Sequence, residues 1–245
     1  MRVLLFPSPH PQIHCLLQSL HAAPGLAEGA APAGVLSAEE RAQYEGFRVP
    51  KRRRDWLLGR WTAKNLVRAY LTAGGRPTQL DGIVIIANPD GSPYATVAGA
   101  RLPLSLSISH SGESSFCALT PLAGTTVGAD VEMIEPRPVS LAEQFFTQEE
   151  LAGVLAQSED ERDFLITLVW SAKEAFLKCM RQGLRVDTRA VTVRIWEALS
   201  DEEGWQMLEV VADADLLRAG SVYQAWWRRE GRSVLTLGIL REHTR

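Results

Sequence analysis

The sequence predicts an α+β fold, because strand-like runs outnumber helical segments and do not alternate regularly with them. A second observation is that the two halves of the chain resemble each other in kind, since each combines helical segments with alternating strands. The third is the turn-forming run Pro121-Leu-Ala-Gly124, which is the best candidate boundary. We therefore expect an N-terminal subdomain at 1–120 and a C-terminal subdomain at 121–245.

Composition supports a folded protein and excludes several classes. The chain has 245 residues, of which 46% are hydrophobic and 22% charged, enough to bury a large core. A net charge of -3 indicates neither a nucleic-acid nor a membrane partner. The cysteines Cys15, Cys117 and Cys179 form no paired framework, which is typical of a reducing compartment. With no signal peptide and no run of membrane-spanning length in the sequence, we expect a cytoplasmic protein.

The first half contains two predicted helices. Ser37-Ala-Glu-Glu40 has the capping-box pattern and predicts a helix through about Phe47. Apolar spacing predicts a second helix from Asp55 to about Ala73. The basic run Lys51–Arg54 precedes it and has two interpretations, an anion-binding cluster or a solvated helix start.

The strands of the first half end near polar side chains. Ile83–Ile86 is an apolar strand, and Leu102–Ile108 alternates cleanly before Ser109-His110-Ser111-Gly112. Ser115–Leu119 is its predicted hairpin partner. Serine and imidazole can donate hydrogen bonds to phosphate oxygens, but a lone histidine is more often structural. Both interpretations of His110 stay open at this point.

In the second half, Val127–Glu132 is a predicted strand that carries two carboxylates. Side chains alternate between the faces of a strand, so Gly128, Asp130 and Glu132 share one face. Two carboxylates on one face suit Mg²⁺, which prefers oxygen ligands. The alternative is the solvated polar face of an amphipathic strand.

Two more helices are predicted, the first opened by Thr147-Gln-Glu-Glu150 and the second by Ser158-Glu-Asp-Glu161 and running to about Gln182. On a helical wheel, Glu174 and Lys178 lie opposite an apolar stripe. They could form an exposed ion pair worth about 0.2–0.5 kcal/mol, or belong to a face that meets a ligand. The stripe comprises Leu165, Leu168, Val169, Ala172, Ala175, Phe176 and Cys179, and strand-like runs follow at Val191–Trp196, Leu208–Val211, Val222–Trp227 and Val234–Leu240.

Four motifs in order resemble the surfactin-type 4′-phosphopantetheinyl transferase family. Any one of them is common, whereas four in this order are specific. The resemblance spans roughly residues 37 to 185. The motifs are Leu57-Leu58-Gly59-Arg60, Ser107-Ile108-Ser109-His110-Ser111, Gly128-Ala129-Asp130-Val131-Glu132, and Trp170-x-x-Lys173-Glu174-x-x-x-Lys178 followed by Gly183-Leu184.

The resemblance implies two similar subdomains related by a pseudo-twofold axis, with coenzyme A bound in the cleft between them. It implies transfer of 4′-phosphopantetheine to a serine hydroxyl of an acyl, aryl or peptidyl carrier protein, with release of 3′,5′-adenosine bisphosphate. Asp130, Glu132 and Glu174 would hold Mg²⁺. Glu174 would also be the general base, and Lys178 would neutralise phosphate charge.

The resemblance further implies a coenzyme A site in the N-terminal subdomain. Ser109 and His110 would contact the cofactor, and Arg60 with Arg41 or Arg54 would complete an anionic pocket. The expected enzyme is a monomer of the holo-[acyl-carrier-protein] synthase type that serves fatty acid, polyketide or nonribosomal peptide synthesis.

One turn departs from the family pattern. The family often has a coenzyme A-binding lysine in a Gly-Lys-Pro turn, whereas this chain reads Gly91-Ser92-Pro93. Arg101 or the basic run Lys51–Arg54 would have to replace that contact. The departure keeps open a non-catalytic coenzyme A or carrier-protein binding module of the same fold. A structural α+β protein whose charges are all solvated is a third possibility.

Overall fold

A computed structural model describes residues 5–182, 185–194 and 204–242. Gly183 and Leu184 of the last motif, and the end of the predicted strand at Trp196, lie outside these residues. The chain forms two compact units, Met1–Ala123 (unit 1) and Gly124–Arg245 (unit 2), and the sequence placed the boundary three residues earlier. Five α-helices and eleven strands lie in the described residues, so the α+β prediction is confirmed. None of these helices is long and apolar enough to cross a membrane.

Unit 1 combines two helices with two small antiparallel sheets. Its core forms where the second helix packs against the sheet that holds Leu16, Leu106 and Leu119. The elements are β1 (His14–Ser19), α1 (Ala38–Glu45), α2 (Pro50–Ala73), β2 (Ile83–Ala87), β3 (Pro93–Val97), β4 (Ala100–Arg101), β5 (Ser105–Ser111) and β6 (Ser114–Thr120), with strand orders β1-β6-β5 and β2-β3-β4.

The helix starts of unit 1 follow local chemistry. The Ser37 hydroxyl accepts a hydrogen bond from the Glu40 amide, and the Glu40 carboxylate accepts one from the Ser37 amide, so the predicted capping box is present. Helix α2 begins at Pro50, five residues before the predicted start at Asp55. Proline is favoured at the first helical position because its missing N–H would have no partner there. The basic run Lys51–Arg54 therefore lies inside the first turns of α2.

Strand β5 differs from its prediction and includes Ser109 and His110. The pairing with β6 continues to Ser111↔Ser114, which leaves only Gly112 and Glu113 for the turn. Gly112 has φ 57°, a left-handed conformation that glycine adopts without strain. The tight turn thus extends the strand beyond Ile108, where alternation of apolar residues alone predicted its end.

Unit 2 is one five-stranded antiparallel sheet with three helices. Its longest helix packs along the two strands at one edge of the sheet, and its apolar core includes Leu165, Leu168 and Trp227. The elements are β7 (Thr125–Met133), α3 (Val139–Phe145), α4 (Gln148–Leu155), α5 (Glu159–Met180), β8 (Val191–Arg194), β9 (Gln206–Ala212), β10 (Val222–Glu230) and β11 (Ser233–Arg241), in the strand order β7-β11-β10-β9-β8.

A buried lysine and glutamate join the elements of unit 1. Glu40 of the capping box also accepts a hydrogen bond from the Ile85 amide at 3.1 Å, which ties α1 to β2. Lys64 of α2 pairs with the same carboxylate and donates to the Val35 carbonyl at 2.6 Å. The Lys64 side chain is completely buried, so its charge depends on these acceptors.

The same arrangement occurs in unit 2. Glu150 of the second capping box accepts from the Val193 amide at 2.7 Å, which ties α4 to β8. Lys173 of α5 lies 2.8 Å from that carboxylate and donates to the carbonyls of Thr188 and Val191 at 2.8 and 2.6 Å. In each unit, therefore, the third residue of a short helix joins that helix, a strand and a long helix through one buried ion pair.

Gly128 lets α5 approach β7 closely. A Cβ added at Gly128 would lie 1.9 Å from the Ala175 carbonyl oxygen and 3.0 Å from the Cys179 sulfur. The oxygen belongs to the helix backbone and cannot move aside without shifting the helix. The glycine of the Gly128–Glu132 motif therefore sets the distance between the strand and the charged side chains of α5.

We expect Gly128→Ala to lower the free energy of unfolding by about 3 kcal/mol or more, because the new methyl group overlaps backbone atoms. Urea denaturation of the variant and the wild type would measure the difference. Gly74→Ala is the matched control, because its Cβ would meet its nearest atom at 3.6 Å and its φ is -83°. Equal midpoints for wild type and Gly128→Ala would show that α5 does not lie this close to β7.

Candidate active site

Asp130 lies on the α5-facing side of β7 and is 3% exposed. Its Oδ1 accepts a hydrogen bond from Lys178 Nζ at 2.7 Å, and its Oδ2 accepts one from the Ser171 hydroxyl at 2.7 Å. Thr236 of β11 lies 2.8 Å from that hydroxyl and donates to the Ser171 carbonyl at 2.9 Å. Asp130 is thus a carboxylate held by a cation and a buried hydroxyl, and a solvated polar face on β7 is excluded.

Lys178 does not form the exposed pair with Glu174 that its spacing allowed. Its ammonium group lies against the Asp130 carboxylate and the Ala129 carbonyl, at 2.7 and 3.1 Å. Leu177, which the wheel placed at the edge of the charged face, is 1% exposed. Helix α5 is buried on more sides than the predicted stripe implied, because both the strands and the following segment cover it.

Glu132 points to the same side of β7 as Asp130 and has its own cation. Arg137 Nη2 lies 2.8 Å from Glu132 Oε2 and 3.4 Å from the Met133 carbonyl oxygen. Arg137 was missed by the sequence analysis. It follows the strand by four residues in a proline-containing segment, and no periodic pattern marks such a contact.

Glu174 is the third carboxylate, and its environment differs from the other two. It is partly buried, and no cation among the described residues forms an ion pair with it. Burial raises the pKa of Glu174, and the negative charges of Asp130 and Glu132 raise it further, while Lys178 opposes the shift. Glu174 therefore accepts a proton more readily than an ordinary carboxylate does.

The predicted metal ligands are neighbours, but they do not converge on one point. Among the described residues no three acidic, histidine or cysteine side chains stand in position to hold one metal ion. Asp130 is turned to Lys178 and Ser171, and Glu132 is turned to Arg137. The donor set nevertheless fits a hard divalent cation, because it consists of carboxylate oxygens, the ligands that Mg²⁺ prefers.

Unit 1 contains two neighbouring pockets of about 450 and 220 Å³ that share Asp55, Trp56 and His110. Lys51 and Arg52 of the basic run line the larger pocket. The smaller pocket is lined by Arg60, Gly91, Pro93, Ile108 and the residues common to both. The structure therefore brings the predicted His110, Arg60 and basic run together with the Gly91-Ser92-Pro93 turn.

Arg60 lies against an aromatic ring inside this region. Its guanidinium stands 4.7 Å from the centre of the Trp56 ring, and its Nε lies 3.8 Å from Glu40 Oε1. Burial lowers the pKa of Arg60, and Glu40 opposes this shift. Trp56 was not predicted as a site residue, although an aromatic residue directly before the Leu57–Arg60 motif was a usable signal.

The other predicted contacts of unit 1 lie elsewhere. Arg41 is exposed on α1, and the Ser109 side chain is buried in the sheet. Arg54 lies 4.0 Å from Asp55. None of these three residues lines either pocket. Arg101 stacks on Tyr94 at 4.2 Å and also lines neither pocket. Of the two replacements considered for the missing lysine, only the basic run reaches these pockets.

An α+β chain with clustered carboxylates and a lysine is typical of enzymes that use a divalent cation to act on phosphate compounds. Residues 126–218 match the family model of the 4′-phosphopantetheinyl transferase superfamily. The family resemblance expected from the motifs is confirmed. The match covers β7 from its second residue, the three helices of unit 2, β8 and β9, and it ends before β10 and β11.

Relatives extend the similarity into unit 1. The chain is 26% identical over 201 residues to the 4′-phosphopantetheinyl transferase HetI of a Nostoc species, covering 80% of this chain and 82% of that protein. It is 27% identical over 163 residues to the 4′-phosphopantetheinyl transferase psf-1 of Bacillus pumilus, covering 66% of this chain and 65% of that protein. Similarity to the solved Thermotoga maritima holo-[acyl-carrier-protein] synthase is 21% identity at a TM-score of 0.36, over 48% of this chain and 63% of that chain.

Proposed function

We propose that this protein transfers the 4′-phosphopantetheine group of coenzyme A to a serine hydroxyl of a carrier protein, with Mg²⁺, and releases 3′,5′-adenosine bisphosphate. The observation that carries the proposal is the cluster of Asp130, Glu174 and Lys178, in which the Lys178 ammonium group donates to Asp130 and Glu174 lies in the electrostatic field of both. The match to the superfamily model supports the same reaction. The proposed acceptors are acyl, aryl or peptidyl carrier proteins.

In this proposal Asp130, Glu132 and Glu174 would hold Mg²⁺, which would supply positive charge to the pyrophosphate of coenzyme A. Glu174 takes the proton of the attacking serine, directly or through water. A bond forms between the serine oxygen and the β-phosphorus, and the bond from that phosphorus to the adenosine bisphosphate oxygen breaks.

Lys178 has the electrostatic role in this reaction. Its ammonium group donates to Asp130 and to the Ala129 carbonyl, so it is fixed before any substrate arrives. A fixed cation stabilises negative charge that develops on a leaving phosphate without the cost of reorienting solvent. In unit 1, His110 and Arg60 are the proposed coenzyme A contacts with the best support, since both line the smaller pocket. Ser109, Arg41 and Arg54 remain proposed contacts without that support.

The test is to incubate the protein with coenzyme A, Mg²⁺ and apo carrier proteins, and then weigh the carriers. A gain equal to one phosphopantetheine group is expected on at least one carrier. Binding of coenzyme A without this gain on several unrelated acyl and peptidyl carriers would favour the non-catalytic binding module instead.

Asp130→Ala is expected to lower the rate of transfer by at least about 100-fold, because it removes a ligand that Ser171 and Lys178 hold in place. Circular dichroism should show that the variant stays folded. Asp215→Ala, at an exposed position of unit 2, is the control and should retain the wild-type rate. Full activity of Asp130→Ala would remove Asp130 from the site.

A further inference from the structure

Arg137 is held beside the carboxylate cluster by its backbone as well as by its side chain. Its amide N–H donates to Asp163 Oδ1 of α5 at 3.1 Å, and Pro136 and Pro138 stand on either side of it. Proline fixes φ, so this segment has few alternative conformations. The backbone that carries the Arg137 guanidinium is therefore restrained beside Glu132. Many surface arginines, in contrast, reach a carboxylate through a flexible side chain alone.

The Arg137–Glu132 pair is screened from water. The two side chains are 13% and 21% exposed, and the Nη2–Oε2 distance is 2.8 Å. Exposed ion pairs contribute little, because water screens them, but a mostly buried pair is stronger and costs more to break. Arg137 Nε is buried and has no hydrogen-bond partner among the described residues, while Nη2 makes the contact with Glu132.

The charge balance of the cluster shows what Arg137 does there. Asp130 has Lys178 as its cation and Glu132 has Arg137, while Glu174 lies in the electrostatic field of both carboxylates. Without Arg137, Glu132 would add an unneutralised negative charge to the repulsion that already acts on Glu174. A divalent cation bound to these carboxylates would supply the same compensation, so it and Arg137 compete for one carboxylate.

We propose that Arg137 is the resident counter-ion of the metal site: it neutralises Glu132 in the metal-free protein and must leave that carboxylate when a divalent cation binds. Arg137 is thus a positioning residue that lowers the metal affinity of the free protein and stabilises the cluster until metal arrives. This inference rests on the proposed function, because it takes Glu132 as a metal ligand.

The test is direct titration of the purified, substrate-free protein with Mn²⁺, followed by electron paramagnetic resonance. Arg137→Met should bind Mn²⁺ about 5- to 30-fold more tightly than the wild type, the factor that corresponds to an interaction of 1–2 kcal/mol. In EDTA the variant should melt at a lower temperature than the wild type, and added Mn²⁺ should raise its Tm by a larger amount. Affinity equal to or weaker than that of the wild type would overturn the inference.

Two further variants make the result specific. Arg228→Met removes an arginine from a comparable pair, with Glu230 at 2.8 Å, and should leave Mn²⁺ affinity unchanged. If Arg137→Met does not fold, Arg137→Lys replaces it, because lysine keeps the charge but loses the planar fork. Arg137→Lys should still bind Mn²⁺ measurably more tightly than the wild type, and an unchanged affinity would overturn the inference.

The same titration separates this inference from the proposed function. If the wild type and Asp130→Ala both fail to bind Mn²⁺, the proposed metal site itself is wrong, and the role of Arg137 falls with it. If the wild type binds Mn²⁺ and Asp130→Ala does not, while Arg137→Met matches the wild type, only the role of Arg137 is wrong.

Discussion

Lys173→Met is expected to lower the free energy of unfolding by about 3–5 kcal/mol, the usual cost of leaving one partner of a buried ion pair alone. Lys173 is 1% exposed and its ammonium group contacts Glu150 and the carbonyls of Thr188 and Val191. Methionine fills a similar volume but cannot donate a hydrogen bond. The Glu150 carboxylate and two carbonyls would then be buried with fewer donors. Urea denaturation would measure the loss.

Two comparisons show whether the loss comes from the buried pair. Lys64→Met should have an effect of similar size in unit 1, because Lys64 is also fully buried and paired with a capping-box glutamate. Lys51→Met should change stability by no more than about 0.5 kcal/mol, since its side chain is 76% exposed. A small effect of Lys173→Met would mean that water or another acceptor reaches Glu150 in the folded protein.

Lys64 and Lys173 also show where sequence analysis was limited. The capping boxes at Ser37 and Thr147 were predicted because they depend on four consecutive residues. The second role of each glutamate depends on a strand 43 to 45 residues away, at Val193 and Ile85, and no local pattern records it. Because lysine is rarely buried, the sequence analysis noted Lys173 only as part of the Trp170–Lys178 motif and did not predict its burial.

For the candidate site, too, the sequence predicted positions on a strand and a helix but not the tertiary partners of the side chains. Strand parity placed Asp130 and Glu132 on one face, and the structure has them there, against α5. The partners of these carboxylates, Ser171 and Arg137, come from the tertiary packing of α5 and of the segment after β7, so they could not be read from spacing. The position of Lys178 was predicted, but its pairing with Asp130 was not, because a helical wheel shows only neighbours on the same helix.

Glu174→Gln is expected to lower the rate of phosphopantetheine transfer by about 10²–10⁴-fold, the usual contribution of a general base. Glutamine has nearly the same shape, so the variant should fold and keep its packing between α5 and β7. It can neither take the serine proton nor give a charged ligand to Mg²⁺. Initial rates at saturating coenzyme A would measure the loss. Glu143→Gln, at an exposed position on α3, should keep the wild-type rate.

The same substitution should stabilise the metal-free protein, because the Glu174 carboxylate is held in an environment that disfavours its charged form. In the folded state the pKa of Glu174 is raised above its ordinary value of 4.5. The Glu174 carboxylate therefore binds a proton more tightly in the folded protein than in the unfolded chain. Stability contributed by this group is therefore present below pH 4.5 and is lost as pH rises through the raised pKa. Glutamine has no charge to bury and avoids that loss.

In EDTA at neutral pH, Glu174→Gln should consequently melt at a higher temperature than the wild type, and the difference should shrink as the pH is lowered toward 4.5. Melting curves of both proteins over this range would measure it. A variant that is inactive but less stable than the wild type would indicate that Glu174 supports the fold. A variant that is inactive and more stable would indicate that the carboxylate is retained for catalysis at a cost in stability.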